Sequence, residues 1–197
     1  RRIEAAWSFP GRAILVAATH NHAGPAVANL GDVRRDDAYI ETLVTRCVEA
    51  FGQALAGMAE AEVGFSHVFE GEVAFNRRVV MRDGWTRTQQ FLGRDPACLH
   101  VEGPIDPEVA VLALRRPGGG LLGCLMNFAC HPIDQGGSTA LSGGYPGLVC
   151  RRLKEHGCPV TLYLNGAGAN LVNINFTSGT TPSMEATAER LTGDVVR

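Results

Sequence analysis

No stretch of this chain stays apolar for anything near the ~20 residues that a bilayer-spanning helix needs, so nothing in it reads as a transmembrane segment. An excess of one charge is missing too: 18 basic against 20 acidic residues leave a formal net charge of −2. The basic residues are scattered, with pairs such as Arg34-Arg35 and Arg151-Arg152 as their longest runs. Such a surface gives no electrostatic reason to expect nucleic acid or an anionic membrane as a partner. The six cysteines (Cys47, Cys98, Cys124, Cys130, Cys150 and Cys158) contain no CxxC pair, which excludes a zinc-ribbon or thioredoxin-like reading. Gly118-Gly119-Gly120 lacks the lysine of a phosphate loop, and no GxSxG elbow surrounds Ser138 or Ser142. There is no internal repeat, low-complexity tract or interdomain linker. No signal peptide is visible, and the chain opens on Arg1, with Arg1 to Ala6 reading like the middle of a helix. The natural protein is therefore expected to begin upstream.

What is present suits one α/β domain over residues 1–197: 45% of the residues are hydrophobic, enough for a real core. The expected architecture is a mixed β-sheet with helices packed on it and the site at strand-end loops. Ala13 to Ala18 is a short apolar run, the pattern of a strand buried on both faces. Asp36 to Gly57 is the clearest helix, with Ile40, Leu43, Val44, Cys47, Val48, Phe51 and Leu55 in one apolar stripe. Asp36 and Asp37 suit its positive end. Val63–Phe69 and Glu72–Phe75 read as extended. Val109–Leu114 and Leu121–Phe128 read as a hairpin around Pro117 to Gly120. Pro146–His156 reads as a helix closed by Gly157, Pro159–Leu164 as a strand, and a last helix starts near Pro182. Cys47, Cys124 and Cys150 fall on apolar faces, where a free thiol packs as a small hydrophobe. That favours a reducing, cytoplasmic setting over a secreted one.

Three of the six histidines, His20, His22 and His131, sit in loops beside Gly or Pro just past apolar runs; His67, His100 and His156 have no such setting. Taken singly, each is more often structural than functional. Together at one sheet edge they suggest a metal, because imidazole is a common zinc ligand and catalytic zinc keeps one position open for water. In an extended segment the spacing of His20 and His22 puts both rings on one side. Both could face one ion, or one could bind it while the other meets substrate.

Thr19-His20-Asn21-His22-Ala23-Gly24-Pro25 resembles the THTHSGP segment of the neutral, non-lysosomal ceramidases and their bacterial relatives. Asn127 to Pro132 is similar to that family's second histidine segment, and Ser142 to Gly147 matches its SADYPG stretch in part. Leu164-Asn165-Gly166-Ala167 is similar to the start of its NGAxGD loop, and Asn76-Arg77-Arg78 to its Asn-Arg segment. All five occur in the family's order and together cover roughly Arg1 to Asn175. The resemblance implies a zinc-dependent hydrolase of an N-acyl, ceramide-like amide. His20 and His131 would hold Zn2+, and His22 and Arg77 would act on the substrate or the developing oxyanion. Asn165, Gly166 and Asn170 would bind substrate in the strand-end loop. The family's remaining glutamate and tyrosine ligands come from further along than Arg197, which implies a fragment with half a metal site.

Two positions depart from the pattern. Where the family loop runs on as GDxSP, Val172 stands in the serine's place, and Gly144 stands where SADYPG has aspartate. A valine supplies neither nucleophile nor hydrogen bond. The alternatives are therefore a zinc hydrolase of another amide or ester, or a non-catalytic ligand-binding domain of the same fold. Asp134 could orient an imidazole or belong to a surface loop. Glu185 and Glu189 read as a solvated helix face.

Overall fold

A computed structural model describes residues 1–92, 94–133 and 139–197; Asp134 and Ser138 lie outside the described residues. The chain divides into two compact units, one of residues 1–17 and 24–60, the other of residues 18–23 and 61–197.

The first unit holds α1 (Arg2–Trp7), a 3₁₀ turn (Gly11–Ala13) and α2 (Asp37–Ala56). The Asp36 carboxylate accepts the Tyr39 N–H at 2.9 Å, closing an otherwise unpaired donor at the start of α2. Trp7 donates its indole N–H to the Val48 carbonyl at 3.1 Å. Its ring lies where a Cβ on Gly52 would come within 2.1 Å, so α2 receives α1 at its one missing side chain. Phe9 meets Phe51 edge to face at 5.0 Å. Two expectations fail here. Past the 3₁₀ turn, the run Ala13 to Ala18 forms no strand, and Leu15 and Val16 are 85% and 86% exposed. Hydrophobicity favours a strand only where a neighbour can take up the backbone hydrogen bonds, and no strand among the described residues pairs with this run. Cys47 is exposed on α2 rather than packed.

The second unit is built on a four-stranded sheet in the order β1-β6-β7-β8, from β1 (Glu62–Phe69), β6 (Glu108–Arg115), β7 (Leu121–Phe128) and β8 (Thr161–Asn165). The first three run antiparallel and β8 runs parallel to β7, a mixed sheet as expected. The β6–β7 hairpin turns through Gly118, whose φ of +65° suits glycine. One face of the sheet carries Val109, Cys124, Met126, Phe128 and Tyr163 into the core. Tyr145, Val149 and Leu153 of α3 (Gly144–Glu155) and Ala188 and Leu191 of α4 (Met184–Val196) cover it. On the other face Val63, Phe65, Phe69 and Leu162 are exposed. A small sheet joins β3 (Arg78–Met81) to β4 (Thr86–Thr88) and β5 (Cys98–Val101). A two-stranded ladder pairs β2 (Phe75–Asn76) with β9 (Leu171–Val172). Of the extended segment expected from Glu72 to Phe75, only Phe75 is in a strand. No helix among the described residues is long and apolar enough to cross a membrane.

Candidate metal centre

β7 and β8 are parallel neighbours, so the loops that leave them emerge at the same edge of the sheet. Out of β7 comes Ala129-Cys130-His131, and out of β8 comes Gly166 to Asn170. The two are sewn together closely. The Gly166 N–H donates to the Phe128 carbonyl at 3.0 Å. The Cys130 N–H donates to Asn165 Oδ1 at 3.3 Å. A Cβ on Gly166 would stand 3.0 Å from the Ala129 Cβ, and one on Gly168 would stand 3.1 Å from the Cys130 nitrogen, so both positions need glycine's small size. The His131 N–H donates to the Leu171 carbonyl at 2.9 Å, which extends the pairing into β9.

The segment Ala18 to Ala23 docks onto the same edge. Asn165 Nδ2 donates to the Thr19 carbonyl at 3.2 Å. Between the two histidines, Asn21 accepts the Ala23 N–H at 2.8 Å in an Asx turn, and its amide donates to the Ser142 carbonyl. The Ser142 N–H donates to the Ala23 carbonyl at 3.0 Å. His20 itself has φ +59°, a left-handed conformation that is costly for a residue bearing a Cβ. The surrounding hydrogen bonds hold that backbone against its local preference.

The result is a convergence of three imidazoles. His22 Nε2 lies 3.2 Å from His20 Nε2 and 3.1 Å from His131 Nε2. One ligand atom from each of the three falls within 4.8 Å of the others. His131 is 6% exposed, while His20 and His22 are open to solvent. His131 Nδ1 faces the Gly168 carbonyl at 3.1 Å. A neutral imidazole that donates there carries its lone pair on Nε2, the atom turned to the cluster. Burial is the main influence holding His131 below the usual histidine pKa; the Gly168 bond opposes it, and the charge of Arg77 reinforces it. Burial also lowers His22, followed by the charges of His20 and Arg77. Both shifts favour the neutral form that binds metal. Nitrogen lone pairs brought this close repel one another unless a cation or proton lies between them, so the donor set fits a divalent ion. Zinc bonds imidazole at about 2.0–2.1 Å in a tetrahedron, which places ligand nitrogens roughly 3.3 Å apart.

No protein-family model matches the sequence, and no curated protein matches it. Solved structures do. The neutral ceramidase from Pseudomonas aeruginosa superposes with a TM-score of 0.75 at 20% identity, over 99% of this chain and 32% of that one. A ceramidase complexed with C2 superposes with a TM-score of 0.77 at 18% identity, again over 99% of this chain and 32% of the other. The fold is shared with neutral ceramidases. This chain spans about a third of the length of those ceramidase chains.

Against that ceramidase-like fold, the other expected site residues fall as follows. Arg77 is tethered to the β8 loop: its backbone N–H donates to the Asn170 carbonyl at 2.8 Å and its guanidinium to the Ala169 carbonyl at 2.6 Å. Asn165 braces the Thr19 and Cys130 segments through both ends of its amide. Asn170 is half-buried beside Arg77. Val172 is fully buried in β9, bridged to His131. Glu185 and Glu189 are exposed on α4, and His67, His100 and His156 lie outside the cluster.

Sequence reasoning missed the support beneath His131. Tyr145 donates its hydroxyl to the Cys130 carbonyl at 2.7 Å and lies 3.0 Å from the Tyr163 hydroxyl. Burial pushes Tyr145 well above the ordinary tyrosine pKa and so keeps the donor protonated. Asn21 was open to detection, since an Asn in a short loop often accepts the N–H two residues on, here that of Ala23, in an Asx turn. The Gly168 carbonyl carries no side-chain signal at all.

Proposed function

We propose that this chain carries the zinc-binding histidines of an amide hydrolase acting on an N-acyl, ceramide-like lipid amide. The observation that carries the reading is the convergence of His20, His22 and His131 Nε2 atoms at 3.1–3.2 Å around His22, in a fold shared with ceramidases. His20 and His131 would hold the ion. Zinc bound there would supply a Lewis acid that polarises an acyl carbonyl and acidifies water at neutral pH.

The chain's own residues supply the rest. The Gly168 carbonyl fixes the His131 tautomer and keeps Nε2 basic. Arg77, anchored to the carbonyls of Ala169 and Asn170, places a fixed positive charge near the imidazoles, suited to a developing oxyanion. His22 exchanges a proton with substrate, and Asn170 and Gly166 line the approach. The nearly equal distances of His22 from both partners, 3.2 and 3.1 Å, also favour a second reading, in which it is a third metal ligand. His22→Ala separates the two. Zinc retained with turnover lost supports the substrate role, and zinc lost supports the ligand role.

The buried Val172 in the family serine's place favours an amide or ester other than ceramide over a ceramidase in the strict sense. Assay of the full-length protein, with zinc content measured alongside, tests the proposal. Zinc-dependent release of a fatty acid from short N-acyl amides is expected. Stoichiometric zinc with no hydrolysis of amides or esters favours a binding domain, and no zinc at all ends the reading.

A further inference from the structure

In the first half of β7, away from the strand end that leads to His131, Cys124 faces Cys158 with the two sulfurs 3.5 Å apart. Both are buried, at 6% and 5% exposure, and both are free thiols. We propose that Cys124 and Cys158 form an oxidisable dithiol, closed to a disulfide by a small-molecule disulfide of the glutathione class.

Local structure sets the pair in place. Helix α3 ends in a Schellman motif: the Gly157 N–H donates to the Lys154 carbonyl at 3.1 Å and the Cys158 N–H to the Leu153 carbonyl at 2.9 Å. Gly157 takes the left-handed conformation this requires, with φ +88°. The turn seats Cys158 against the first half of β7, where the Cys124 N–H donates to the Val160 carbonyl at 2.9 Å. The Thr161 hydroxyl lies 3.6 Å from each sulfur. A disulfide needs the sulfurs at about 2.05 Å, so closure asks for a sulfur movement of roughly 1.5 Å, within reach of side-chain rotation. A cleft of about 250 Å³ opens onto the pair, lined by Cys124, Cys158, Leu153, His156, Val195 and Val196. It gives a small reagent access that burial would otherwise deny.

The exchange balances without further reactants. The thiolate of one cysteine attacks a sulfur of the reagent, forming a mixed disulfide and releasing one reagent thiolate. The partner thiolate then attacks the cysteine-side sulfur, closes the protein disulfide and releases the second. Two protein thiols are oxidised, one small disulfide is reduced to two thiols, and the two protons pass to those leaving groups. Burial pushes the Cys124 thiol up to about 11, so closure is slow at neutral pH and quickens with the thiolate fraction as pH rises. The bond would tie β7 to the connection between α3 and β8, a staple remote from the histidine cluster.

The test is to treat the reduced chain, carrying Cys47→Ser to remove the exposed thiol, with oxidised glutathione at neutral and alkaline pH, followed by peptide mapping and melting. A Cys124–Cys158 linkage that forms faster at alkaline pH, with a melting temperature raised by roughly 5–10 °C, is expected. Addition of Cys158→Ser should abolish both and leave at most a glutathione adduct on Cys124. Linkage of either cysteine to Cys150, or thiols that stay reduced at alkaline pH, would overturn the proposal.

Discussion

His131 Nε2 lies 3.1 Å from His22 Nε2 although 109 positions separate the two residues. His20 Nε2 lies 3.2 Å from His22 Nε2 as well, and the His20 and His131 ring centroids are themselves only 4.4 Å apart, so the three imidazoles close a triangle.

The Gly168 carbonyl orients His131, and a side chain on Gly168 would crowd the Cys130 backbone at 3.1–3.3 Å. Gly168→Ala is expected to destabilise the chain by roughly 1–3 kcal/mol. It should also weaken zinc binding about 10–100-fold, the usual cost of disturbing a partner of a metal-binding histidine. Thermal melting and zinc titration of the same variant check both. An unchanged affinity would show that this bond does not position His131.

Val172 is fully buried in β9 opposite Phe75. Introducing a hydroxyl by Val172→Ser therefore puts an oxygen into an apolar site and is expected to cost about 1–3 kcal/mol. Activity on ceramide should not appear. A Val172→Ser protein that melts like the parent and hydrolyses ceramide would contradict the placement of this residue in the core.

Asp194 is 8% exposed, and its Oδ2 has no hydrogen-bond partner among the described residues. Burial raises its pKa, and the adjacent Glu70 carboxyl raises it further, while Arg197 and Arg190 act in the opposite sense. An acid whose pKa is raised on folding supports the fold fully below its unfolded value of 3.8 and loses that support as pH rises through the folded one. Asp194→Asn should thus raise the melting temperature at neutral pH, by the equivalent of about 1 kcal/mol, with the gain vanishing in acid. A loss of stability at neutral pH would show that the carboxylate is paired favourably there.

The parts of the fold that were legible in the sequence are those where one segment declares itself. Helix α2, the hairpin of β6 and β7, and the Gly157 that closes α3 lie where the pattern places them, although Leu43 and Cys47 of the α2 stripe are exposed and α3 begins at Gly144, two residues before Pro146. Ala13 to Ala18 misled because an apolar run does not say whether a partner strand exists. The β2–β9 ladder joins Phe75 to Val172 through two residues on each side, too short for any periodicity to register. At the site, the histidines showed as residues beside Gly or Pro after apolar runs. The Gly168 carbonyl and the Tyr145–Tyr163 pair did not, because a backbone acceptor and a buried hydroxyl acquire their partners only through tertiary packing.

Titration of the metal-free full-length protein with zinc, followed by heat release, tests the histidine centre most directly. One ion per chain is expected, with binding abolished by His20→Ala and by His131→Ala while both variants keep the parent's helical circular dichroism. Failure of the folded parent to take up zinc, or uptake that persists when both imidazoles are removed, would contradict it.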